Sequence, residues 1–121
     1  MDGKSDKTKK KDLLLGKIIE YIGQEKQLFN ITLNIKGLII SGYLISQEEY
    51  YKQLVEQFCL IFGADNQLSH PVAQTEYEEG YIYLMNAKFH FASQDAAPID
   101  QGVLWRGDLN AIDGYFFGSL D

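Results

Sequence analysis

The side chains best suited to recognition stand together late in the chain. Trp105 and Arg106 are the sole Trp and the sole Arg of the 121 residues, and Asp108 and Asp113 follow them. Gly107, Gly114 and Gly118 punctuate the stretch. Arg brings a planar, permanently charged fork, and Trp a large ring with one polar handle. Such a pair can stack, hold a carboxylate or anchor an interface, and Trp, Tyr and Arg dominate interface hot spots. Trp105, Arg106, Asp108 and the strand residue Tyr43 are therefore the candidate interface residues. The competing assignment puts Trp105 in the core and makes Asp108 a partner of Arg106 or of a loop amide. The pair alone does not make an enzyme.

The remaining polar residues form no catalytic or metal-binding pattern. His70 precedes Pro71 in a polar stretch, and His90 shares the less apolar face of a strand with Lys88; neither has a carboxylate or Cys at metal-ligand spacing. The single Cys59 excludes an intrachain disulfide and any multi-cysteine metal site. It falls on an apolar helical stripe, which predicts a buried, inert thiol. No serine lies in a nucleophile elbow, and Gly102 to Gly107 lacks the Lys-Ser/Thr of a phosphate loop. Asp108 and Asp113 could pair, but Asp113-Gly114 reads as turn chemistry. Glu76, Glu78 and Glu79 around Tyr77 match no calcium loop and predict a solvated acidic loop. The expectation is a non-enzyme with no cofactor and no metal.

Charge divides the chain unevenly. The formal total is -6. Residues 1–11 hold Lys4, Lys7, Lys9, Lys10 and Lys11 against Asp2 and Asp6, a net +3; the rest sets six cations against fifteen carboxylates, a net -9. With no apolar residue after Met1, residues 1–11 predict a disordered basic tail, either solubilising or an electrostatic tether to an acidic surface such as a neighbouring copy. Residues 12–121 predict one globular domain, since 45% hydrophobic content and 13% aromatics suit a single core. An acidic body disfavours nucleic acid, whose phosphates need a cationic footprint. The longest apolar runs are far short of the roughly 20 residues that span a bilayer, and no signal-peptide pattern is visible. The expected location is cytoplasmic.

The elements that must position these residues are legible from periodicity. Asp12 can cap a helix reaching about Ile22, with Leu14, Leu15, Ile18, Ile19 and Ile22 on one face and Gly23 as its stop. Residues 28–35 alternate as a half-buried strand; Lys36-Gly37 turns the chain, and residues 38–45 return. Gly42 within the second strand predicts a bend or a close backbone approach. Ser46 and Glu49 form a capping box for a helix to about Phe62, with a stripe of Tyr51, Leu54, Val55, Phe58, Cys59 and Phe62. Residues 64–80 predict a polar connection, and residues 81–91 a long strand whose first half is covered on both faces. Residues 93–101 predict a flexible turn. Two short strands, 103–109 and 115–120, close the sheet.

This order, with Leu84-Met-Asn-Ala87 and Arg106-Gly-Asp108, resembles the Sm-like family over roughly residues 12–120. The resemblance implies a mainly β (α+β) fold: a small, bent, five-stranded Sm-like or SH3-like barrel with an N-terminal helix, here with a helix inserted after the second strand. It also implies an alternative function, RNA binding through the Arg-Gly-Asp loop, beside which another protein-interaction module is the remaining alternative. The inserted helix at 47–62 leaves no counterpart for the family's other base-contacting residues, and the acidic charge points the same way. A closer resemblance, carried by residues 31–46, Glu49-Tyr50 and Trp105-Arg-Gly-Asp-Leu-Asn-Ala-Ile-Asp-Gly-Tyr-Phe-Phe-Gly118, is to the GvpU family of gas vesicle accessory proteins. It implies a non-enzymatic factor in gas vesicle formation, organisation or clustering. The implied partners are gas vesicle shell protein or assembled vesicles and further copies of the chain, with neither nucleic acid nor membrane among them.

Overall fold

The computed structural model describes residues 14–22, 28–90 and 102–119. Its centre is one antiparallel sheet. Strands β1 (Phe29–Ile35), β2 (Leu38–Ile45), β3 (Tyr81–His90), β4 (Val103–Asp108) and β5 (Gly114–Phe117) lie in the order β4-β3-β2-β1-β5. Helix α1 covers residues 14–22, α2 Gln47–Phe62 and α3 Ser69–Ala73, and a 3-10 turn at Leu109–Ala111 separates β4 from β5. The expected mainly β (α+β) class with five antiparallel strands and a helix after the second is what the chain adopts. The sheet is open: β4 and β5 share no register, so it does not close into the expected barrel.

Alternation decides which face each residue serves. Ile31, Leu33, Ile40, Ile82 and Leu84 are wholly or almost wholly buried and form the main core with Leu15, Ile19 and Ile22 of α1. Leu109 and Ile112 from the β4–β5 connection complete it. Leu14, expected on the buried face of α1, is exposed. The opposite face holds a second cluster, Ile45, Tyr50 and Tyr83, under α2. The first half of β3 is thus covered on both sides, as its unbroken apolar run predicts. The basic tail, the Asp12 cap, the Gly23 stop and the 93–101 turn lie outside the described residues.

Local chemistry explains the joints. Lys36 and Gly37 both take positive φ (52° and 89°), the two-residue hairpin turn that suits strand twist. Asp113 anchors that turn from a distance: its Oδ2 accepts the Lys36 N–H at 2.6 Å, and its own N–H donates to the Asn34 carbonyl at 2.8 Å. At Gly42 a Cβ would stand 3.0 Å from the Ala87 Cα and 3.1 Å from the Met85 carbonyl oxygen, so the expected close approach is to β3. Ser46 Oγ accepts the Glu49 N–H at 3.1 Å, the first half of the capping box; the Glu49 carboxylate instead accepts from Gln53 Nε2 at 2.8 Å. The 64–80 connection contains the short α3, which its polar composition concealed.

Candidate interaction surface

Trp105 and Arg106, adjacent in sequence, point to opposite faces of the sheet. Trp105 is half-buried, packs against the main core and lies with its ring against Gly107. Arg106 emerges on the α2 side. Its guanidinium sits 3.7 Å from the centre of the Tyr81 ring and 3.5 Å from Glu78 Oε1. Asp108 does not meet Arg106; it caps the 3-10 turn by accepting the Asn110 N–H at 2.9 Å. Tyr43 stands apart on the opposite side of β3, lining a cleft with Asn30, Ser41 and Lys88. The structure therefore does not gather the four candidate residues into one patch. The lysines of the tail lie outside the described residues.

Around Arg106 is a polar knot that joins α2 to the connection before β3. Gln47 is buried at the start of α2; its Nε2 donates to the Glu76 carbonyl, and its Oε1 accepts from the Glu78 N–H, each at 2.8 Å. Tyr83 Oη also donates to Gln47 Oε1, at 3.2 Å. Burial pushes the Tyr83 hydroxyl up to about 12, although the neighbouring Arg106 favours its ionised form. Burial alone would lower the Arg106 guanidinium, but its interactions with Tyr83, Tyr51 and Tyr81 hold it above its ordinary value. Tyr50 is likewise raised, chiefly by burial. The Arg–aromatic–carboxylate arrangement suits holding the fold together more than turning over a substrate.

Gln47 and Tyr50 are buried at the start of α2, and Tyr51 and Leu54 of the predicted stripe pack beside them. Val55, Phe58 and Cys59 of the stripe are half-buried, and only Phe62 at its end is exposed. The last turn also carries apolar residues outside the stripe. Leu60, Ile61 and Phe62 are 87%, 68% and 60% exposed, and Leu68, just before α3, is 50% exposed. The Phe58 and Phe62 rings meet at a tilt of 51°, 6.1 Å between centres. Sequence reasoning missed this ridge. The signal was the run Phe58-Cys-Leu-Ile-Phe62, apolar all round the last turn, whereas one side of a surface helix can face the core.

Cys59 is half-buried beside this ridge, 3.8 Å from Ser69 Oγ and 3.9 Å from Asn66 Nδ2. A groove of about 650 Å³ runs between α2 and residues 72–77, lined by Tyr51, Val55, Val72 and Tyr77 with Glu48 and Glu56 at its rim. Among the described residues, no three His, Cys, Asp or Glu side chains stand close enough to hold a metal.

A family model described as "GvpU-like: Gas vesicle protein GvpU-like" matches residues 12–120. No curated protein and no solved structure matches the chain.

Proposed function

Because the chain belongs to the GvpU-like gas vesicle protein family, we propose that it is a non-enzymatic accessory protein of gas vesicle formation or clustering. It acts by binding shell protein or the vesicle surface and by associating with itself, from a cytoplasmic location. The exposed apolar run Leu60, Ile61 and Phe62 at the end of α2 supports this reading. A monomer gains nothing by presenting several large apolar side chains together to water, and such patches mark contact surfaces. Burying a side chain of this size contributes about 1.5–3 kcal/mol before association costs. One copy would bind weakly, and self-association would convert weak contacts on a repetitive shell into firm ones. Arg106 packs on Tyr81 and pairs with Glu78, so nothing specific favours the RNA-binding alternative. No described helix is long and apolar enough to cross a membrane.

Co-flotation tests the proposal: purified protein is mixed with isolated gas vesicles and centrifuged so that vesicles rise. Wild-type protein is expected in the floating layer. Leu60→Ser/Ile61→Ser, at exposed positions, should reduce its recovery about tenfold with an unchanged melting temperature. Equal flotation of the variant removes the ridge from the proposal, and absence of wild type from the layer at every salt concentration removes surface binding.

A further inference from the structure

Among the described residues, the α2 side of the sheet is only partly occupied. Where α2 meets the sheet it packs chiefly on β3 and β4, whereas β1, β2 and the far end of β3 place polar residues on that same face. Thr32, Ser41 and Lys88 lie there in register across three strands. Two register shifts frame the area, between Ser41 and Tyr43 on β2 and between Leu84 and Ala87 on β3. Asn86 sits in the second shift with φ 52°. A Cβ on Gly102 would overlap the backbone and side chain of Asn86, so the chain is pressed closely around it. Bulges and non-glycine residues at positive φ collect where a sheet must re-aim its side chains.

What these distortions frame is a cleft of about 280 Å³ lined by Asn30, Ser41, Tyr43, Asn86, Lys88 and His90. Two observations define its chemistry. No carboxylate among the described residues lines it, although Asp and Glu outnumber Lys and Arg by 17 to 11 in the sequence. Among the described residues that line it, the one formal charge is the Lys88 ammonium. In addition, His90 Nε2 is closed off from solvent with no hydrogen-bond partner among the described residues. Buried polar nitrogens are nearly always partnered. The neighbouring Thr32 is the contrast: its hydroxyl meets Ser41 Oγ at 2.8 Å and donates to the Gly118 carbonyl at 2.7 Å.

We propose that this cleft binds a small anion carrying a carboxylate or a phosphate group. Lys88 supplies the charge, and the side-chain amides of Asn30 and Asn86 supply neutral donors, while the Ser41 hydroxyl proton is committed to Thr32 Oγ1. His90 contributes a ring N–H once the imidazole turns about its terminal torsion, a broad and easily crossed one. Charge-assisted hydrogen bonds are the strong ones, and a cleft at the small end of the ligand-pocket range suits a compact anion. This site does not rest on the vesicle reading.

The test follows the imidazole signals of the full chain by NMR while sodium phosphate, and separately sodium succinate, is added at constant pH and ionic strength. His70, exposed on α3, is the internal control. His90 signals should shift saturably with at least one anion while those of His70 do not. Lys88→Ala, at an exposed position, should weaken that binding about tenfold. Saturation by phosphate alone or succinate alone assigns the group recognised. Absence of a saturable shift with both, an equal shift at His70, or undiminished binding by Lys88→Ala overturns the proposal.

Discussion

Tyr83 carries two jobs with one hydroxyl: it fills the cluster beneath α2 and donates to Gln47, which in turn holds the chain at Glu76 and Glu78. Because burial raises this phenol to about 12 from an ordinary 10, its neutral form is the one the fold holds. Above pH 10 the unfolded chain loses this proton while the folded chain keeps it. The contribution is complete below pH 10 and declines by about 2–3 kcal/mol as pH climbs towards 12. Urea unfolding at pH 9 and pH 11 should show that decline in the wild type. Tyr83→Phe should cost about 1 kcal/mol at pH 9, the lost hydrogen bond, and decline less by pH 11. Parallel losses in both proteins would assign the effect to other tyrosines. At this scale the sequence was informative about Asp108 as partner of a loop amide, but not about Asp113: Gly114 opens β5 with no turn at Asp113-Gly114, and the Asp113 carboxylate instead holds the distant Lys36-Gly37 turn. It could not show that Arg106 would choose Tyr81 and Glu78, because those neighbours come from other parts of the chain.

α2 shows how a single element can be legible at one end and misread at the other. Its start is written in Ser46, whose hydroxyl satisfies an N–H that the first turn leaves without an internal partner. Ser46→Ala should lower stability by about 1 kcal/mol in urea or thermal unfolding. Glu49→Ala should cost far less, since its carboxylate engages Gln53 and does not complete the box; equal costs would show that the reciprocal bond forms in solution. The far end reads as apolar, but periodicity states only that a face is apolar. Leu60 and Ile61 follow the exposed Glu56 and Gln57 by one helical turn and so stand on the solvent side of α2, and Phe62 is exposed at its last residue.

For the whole molecule, charge is the organising quantity. A +3 segment on a -9 body permits head-to-tail contacts between copies, which extend instead of closing. Such contacts weaken as salt shortens the screening length from about 10 Å at 0.1 M to about 3 Å at 1 M. In sedimentation velocity, association at low salt should fall towards the monomer at about 1 M salt, and equally on deleting residues 1–11. Association that strengthens with salt would point to the apolar ridge and dismiss the tail. Among the described residues, β4 and β5 are open edges with no further strand beside them, and the same measurement, with and without the tail, would also sense pairing there.

The sequence by itself determined the strands, the hairpin turn, the helix cap and the charge asymmetry, because alternation, turn residues and capping act within a few neighbouring residues. It also carried the family resemblance. The tertiary structure decided what sequence distance hides: that Trp105 and Arg106 serve opposite faces, that the sheet stays open, and that Asn30, Ser41, Lys88 and His90 converge on one cleft. Those outcomes depend on register and on bulges. A shift of one residue in pairing exchanges the faces of a strand, and no local preference sets where such shifts fall.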